Sequence, residues 1–84
     1  MVISSLVVET MLDYTQRVAD ELAGRQGVEV HGIDGYKIVI TIEAPTVDES
    51  HAIANAIVPI VSVIGVDLIY LNFEDDPTIY PDGV

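Results

Sequence analysis

Tyr36-Lys37-Ile38-Val39-Ile40-Thr41-Ile42-Glu43 is the stretch that decides the fold. Its even positions are Tyr, Ile, Ile, Ile and its odd positions are Lys, Val, Thr, Glu. Side chains of a strand point alternately to opposite faces, so this octet is a β-strand with one apolar face and one wet face. Just upstream, Val28-Glu29-Val30-His31 alternates in the same way, which makes a second strand. Between the two, Gly32-Ile33-Asp34-Gly35 supplies turn chemistry, and an Asp-Gly pair suits a tight hairpin.

Downstream, Pro45 ends the strand and Thr46-Val47-Asp48-Glu49 matches a capping box, with Thr46 as N-cap and Glu49 three residues into the helix. The helix that follows presents Ile53, Ile57 and Ile60 or Val61 on one face. Pro59 kinks or ends it, because proline removes a helical hydrogen bond and crowds the preceding turn. Gly65 closes that segment, and residues 66–73 read as the last strand. Upstream of the hairpin, residues 2–8 are apolar and β-branched, which reads as the first strand. An amphipathic helix over residues 12–23 comes next, with Tyr14, Val18 and Leu22 at four-residue spacing and Gly24 and Gly27 bracketing its end.

The order strand, helix, strand, strand, helix, strand predicts an α+β, ferredoxin-like βαββαβ sandwich: a four-stranded antiparallel sheet with two helices on one face. Residues 1–74 form this single domain. Residues 75–84 are expected to be a flexible acidic tail containing Pro77 and Pro81.

Composition narrows the function. The 84 residues carry 14 acids against Arg17, Arg25 and Lys37, a net charge of −11. Phosphate backbones require several cations to displace their counterions, so nucleic acid is excluded as a partner, and anionic membrane surfaces are disfavoured for the same reason. A basic partner is attracted instead. No stretch reaches the ~18 uninterrupted apolar residues that a membrane span needs. Residues 1–8 lack the basic segment of a signal peptide, so the expected compartment is the cytoplasm.

Catalysis has little support. There is no cysteine, which removes disulfides, thiolate metal sites and cysteine nucleophiles. His31 and His51 are the only histidines, and neither a nucleophile motif nor a glycine-rich phosphate loop accompanies them. Glu29, His31 and Glu43 could meet on one sheet face, yet their spacing matches no zinc or calcium site. Ferredoxin-like metal-transfer domains use paired cysteines, and acylphosphatases need a basic loop where this chain has Glu9-Thr10-Met11. No catalytic residue, metal or cofactor is expected.

What remains is the sheet face that two helices cannot cover. If Ile38, Ile40 and Ile42 face the helices, then Lys37, Val39, Thr41 and Glu43 face outward, as do Glu29 and His31 beside them. Ser5 and Val7 are the outward pair of the first strand. In the last strand Leu68, Tyr70 and Asn72 are assigned outward, with Ile69, Leu71 and Phe73 in the core. The face then has an apolar central stripe with carboxylates at its margins, the character of a binding surface.

Ser5-Leu6-Val7-Val8, Gly27-Val28-Glu29-Val30, Lys37-Ile38-Val39-Ile40 running through to Glu43, and Gly65-Val66 leading into Leu71-Asn72-Phe73 together resemble the NapD family over about residues 3–74. Arg25-Gln26 departs from the proline-glycine turn common there. The resemblance implies a cytoplasmic chaperone of the periplasmic nitrate reductase system. Such a chaperone binds the twin-arginine signal peptide of the catalytic-subunit precursor and delays its export until the molybdenum cofactor is inserted. It also implies that the open sheet binds the peptide, through Ser5, Val7, Glu29, His31, Val39, Thr41, Glu43 and Tyr70, in a protein that is a monomer or weak dimer. The alternative reading of the same bare sheet is a ferredoxin-like regulatory or oligomerisation domain that pairs through that face.

Overall fold

Ile38, Ile40 and Ile42 are completely buried, whereas Lys37, Val39 and Glu43 between and around them are exposed. The alternation of the deciding octet therefore locates the core on one side of its strand. The computed structural model describes residues 1–72, the last three as backbone. Its elements are β1 (Val2–Thr10), a 3-10 turn (Leu12–Tyr14), α1 (Thr15–Ala23), β2 (Val28–Asp34), β3 (Lys37–Ala44), α2 (Val47–Ile57) and β4 (Val63–Asn72). The acidic segment 75–84 lies outside the described residues.

The sheet is antiparallel throughout and ordered β2-β3-β1-β4. Leu6 and Val8 of β1 share one core with the three isoleucines of β3, with Val18, Ala19 and Leu22 of α1 and with Ile57 of α2. Both helices thus cover the same sheet face, which is the ferredoxin-like arrangement. Each fully buried Leu, Ile or Val contributes roughly 1.5–3 kcal/mol of transfer free energy. Two hydroxyl pairs sit at the same interface: Ser4 with Ser50 at 2.9 Å, and Thr10 with Thr15 at 2.7 Å. All four residues are buried, so each pair joins β1 to a helix while satisfying its own polar groups.

Local chemistry sets the boundaries. Thr46 caps α2, its side-chain oxygen accepting from the Glu49 N–H at 3.1 Å. The helix ends at Ile57, two residues before Pro59, as a proline requires. Gly27 adopts φ 81, and its carbonyl accepts from the Glu43 N–H at 2.8 Å. A Cβ at that position would stand 2.9 Å from the Glu43 carbonyl oxygen, so only glycine lets the strand entry approach β3 this closely.

Several expectations need correction. Regular helix begins at Thr15, and the buried set is Thr15, Val18, Ala19 and Leu22. Tyr14 is 40% exposed and its ring takes the Arg17 guanidinium at 5.7 Å. β2 runs on through Gly32 to Asp34, and the hairpin loop is Gly35-Tyr36, with Gly35 at φ 62. The turn glycine is therefore the second of the Asp-Gly pair, and Tyr36 belongs to the loop. Ser62, not Gly65, reverses the chain after α2: Ser62 takes φ 78 and its carbonyl accepts from Met11 N–H at 2.9 Å. β4 consequently starts three residues earlier than expected.

The outward assignment of Leu68 is also overturned. Leu68 pairs with Leu6, whose side chain is buried on the helix side, and it lines the space beneath α2. Ile69, expected in the core, is the unpaired extra residue of a β-bulge and is 61% exposed. The assignments of Leu71, Asn72 and Phe73 fall outside the described side chains.

Candidate functional site: the open face of the sheet

The odd-numbered residues of β1 and β3 build the uncovered face, and the strand register fixes who stands beside whom. Thr41 lies opposite Ser5 on one side and Glu29 on the other. Val39 lies opposite Val7 and Gly32. Glu43 pairs with Ile3, and Lys37 stands between Glu9 and Asp34. Across β1, Val7 is opposite Asp67 of β4 and Glu9 is opposite Gly65.

His31 reaches this face by a different route. It is the extra residue of a bulge in β2, since Val30 pairs with Ile40 and Gly32 already with Val39. A bulge turns its residue out of the ladder. The His31 imidazole stands 2.8 Å from the Thr41 hydroxyl and 3.5 Å from a Glu29 carboxylate oxygen. Three of the residues singled out from sequence therefore meet here: His31 hydrogen-bonds Thr41 and lies within ion-pair distance of Glu29.

The bulge has a second effect. It brings Gly32, with no side chain, beside Val39, which is 38% exposed although it sits in an interior strand. Val7 and Ile3 are half-buried and Ser5 likewise, so the centre of the face is low and apolar with two hydroxyls. Carboxylates surround it: Glu29 and Glu43 at one end, Glu9 and Asp34 at the other, Asp67 on the β4 side. Lys37 and His31 are the cationic or potentially cationic groups among them. Between Glu29, Thr41 and Glu43 lies a shallow cleft of about 220 Å³, lined also by Gly27 and Val28.

The structure thus brings together Ser5, Val7, Glu29, His31, Val39, Thr41 and Glu43 on one face. Tyr70 is placed opposite Ser5 in the ladder, and its side chain lies outside the described residues. Glu9 and Asp67 were not anticipated. The β1 alternation that marks Ser5 and Val7 continues to Glu9, so that residue was within reach of the sequence. Asp67 was hidden by the bulge at Ile69, which reverses the parity of β4 partway along. Among the described residues, no group of three histidine, cysteine, aspartate or glutamate side chains is placed to hold a metal ion, and no helix is long and apolar enough to cross a membrane.

The family model described as NapD protein matches residues 1–75. The chain belongs to the NapD family. NapD proteins are chaperones, not enzymes. The solution structure of NapD from E. coli, described as a Tat proofreading chaperone, superposes with a TM-score of 0.78 at 21% identity. The match covers 87% of this chain and 79% of that one, and it shows that the NapD fold is shared. Comparison with curated proteins by sequence gives no match.

Proposed function

We propose that this chain is a cytoplasmic Tat proofreading chaperone. It binds the twin-arginine signal peptide of a periplasmic nitrate reductase catalytic-subunit precursor and keeps it from the export machinery during cofactor insertion. Membership of the NapD family supports the chaperone role, and the E. coli relative of the same fold carries the Tat proofreading description. The observation that carries the reading is the open face itself: an accessible Val39 between Gly32 and Val7, ringed by Glu9, Glu29, Glu43 and Asp67.

A twin-arginine peptide couples a strongly basic segment to an apolar one. Guanidinium groups form paired, charge-assisted hydrogen bonds with carboxylates, and such bonds are roughly twice as strong as neutral ones. Glu29 and Glu43, flanking a cleft beside the Thr41 hydroxyl, offer that geometry to an arginine. Val39 and Val7 supply apolar contact between the charged margins. The net charge of −11 accelerates encounter with a cationic segment and discourages anionic competitors. Binding alone accounts for this function, since no bond has to be made or broken.

Titration of the isotope-labelled chain with a synthetic twin-arginine peptide, followed by amide chemical shifts, tests this assignment. Shifts concentrated at Val7, Glu29, His31, Val39, Thr41 and Glu43 are the expected result. Shifts confined to α1 and α2 would place the peptide on the opposite side of the molecule and refute the assignment.

A further inference from the structure

The two edges of the sheet are built differently. β2 is blunted by the bulge at His31 and by Glu29 and Asp34, the features by which edge strands resist further association. β4 is bulged as well, at Ile64 and Ile69, but it differs in carrying almost no charge. From Val63 to Ile69 its one charged residue is Asp67, while Ile64, Leu68 and Ile69 are 65%, 57% and 61% exposed. Just past α2, Val58 lines the same groove as Leu68, and Val61 in the turn into β4 is 86% exposed. Exposed aliphatic side chains concentrated in β4 and the turn that leads into it are the kind of surface that marks an interaction site.

The patch is not flat. Leu68 faces the helix side of the sheet, and α2 lies chiefly over β3 and β1, so a groove of about 200 Å³ opens between α2 and β4. Leu6, Val66 and Leu68 line it from the sheet, and Ala54 and Val58 from the helix side together with the polar His51 and Asn55. At its base the Ser4 and Ser50 hydroxyls bond to each other at 2.9 Å. That bond uses one of their two hydroxyl protons and leaves the other for an incoming acceptor.

The open face, by contrast, is rich in carboxylate, and among its described side chains Val39 is the one large hydrophobic residue above a third exposed, with Val7 and Ile3 half-buried. A peptide with a basic segment and an apolar run needs both kinds of surface. They adjoin here, because Asp67 beside Val7 belongs to the open face and its chain neighbour Leu68 belongs to the groove.

We infer that the β4 edge and the α2–β4 groove receive the apolar run of the signal peptide, while its arginines lie on the acidic open face. This division of labour rests on the signal-peptide reading above. The nearly uncharged edge suits an apolar segment that the acidic face would repel by desolvation of its own carboxylates. The occupant is thus the same cationic precursor that the acidic face attracts, continued one strand further.

The test uses the full chain, Leu68→Glu and Ile69→Glu variants, and two synthetic peptides: the complete twin-arginine signal peptide and a fragment ending after the arginine segment. Both substituted residues are more than half exposed, so melting temperatures should match the parent chain. Each variant should lose about tenfold or more in affinity for the complete peptide, equivalent to ~1.4 kcal/mol, and bind the arginine fragment as the parent does. Parent-like affinity of both variants for the complete peptide would overturn the inference and leave the signal-peptide reading standing. Failure of the parent chain to bind either peptide would overturn the reading itself. A parent dimer that either variant converts to monomer in sedimentation would assign the edge to a second copy of the chain and overturn the inference as well.

Discussion

Val39 stands directly opposite Val7 across the β3–β1 ladder, and opposite Gly32 across the β3–β2 ladder. This places an aliphatic side chain at the middle of an uncovered sheet face with no side chain on one flank to shield it. Its chain neighbour Ile40 is completely buried against both helices. One residue step separates surface from core.

That step gives the first prediction. Val39→Asp should leave the far-ultraviolet circular dichroism and melting temperature near those of the parent chain while abolishing signal-peptide binding in calorimetry. Ile40→Asp should prevent folding, because burying a carboxylate costs several kcal/mol against a total stability of about 5–10 kcal/mol. Equivalent behaviour of the two variants would show that the parity of β3 is misassigned.

Gly27→Ala should destabilise the fold by about 1–3 kcal/mol, the cost of a strained backbone with a blocked approach. The added Cβ would meet the Glu43 carbonyl oxygen at 2.9 Å, and φ is 81. Gly24→Ala provides the control. Its φ is −87 and the nearest atom to a new Cβ is 3.6 Å away, so urea unfolding should show no loss, or a gain of about 0.4–1 kcal/mol.

The Ser4–Ser50 pair predicts strong non-additivity. Either serine changed to alanine leaves a buried hydroxyl without its partner, at a cost of about 1–3 kcal/mol. Changing both removes the polar pair altogether and should cost less than the sum of the single changes. A double-mutant cycle by urea unfolding measures this coupling directly, and additive losses would contradict it.

Thr46→Ala removes the oxygen that accepts from the Glu49 N–H, and should lower stability by about 1 kcal/mol. A thermal melt detects this, and Thr46→Ser should restore most of the loss because serine caps equally well. No rescue by serine would mean that the hydroxyl is not what holds the start of α2.

The legibility of this chain varies with how strongly each strand distinguishes its two faces. β3 places isoleucine at three successive even positions and Lys37, Val39, Thr41 and Glu43 at the odd ones, so its orientation follows from the sequence alone. Once β3 is set, Ser5, Val7, Glu29, Thr41 and Glu43 follow by pairing. β4 offers no such contrast. Leu68 and Ile69 are adjacent and equally apolar, and the extra residue at Ile69 reverses the alternation between Asp67 and Tyr70. Bulges are decided by the partner strand and by the edge environment, which local hydrophobicity does not encode. The same cause hid Asp67. The first helix departs from expectation for a related reason: Tyr14 is large and apolar enough to read as core, yet the face that packs is set by Thr15, Val18, Ala19 and Leu22, with the buried Thr15 hydroxyl bonded to Thr10.

The measurement that bears most directly on the proposed role compares two peptides on the unmodified chain: the twin-arginine signal peptide and the same peptide with both arginines replaced by glutamine. Calorimetric titrations at low and at about 0.5 M salt should show the arginine peptide binding more tightly at low salt and losing affinity as screening shortens the reach of the carboxylates. The glutamine peptide should bind at least tenfold more weakly at low salt, the loss expected from about 1.4 kcal/mol of charge-assisted contact. Equal affinity of the two peptides, independent of salt, would contradict the account.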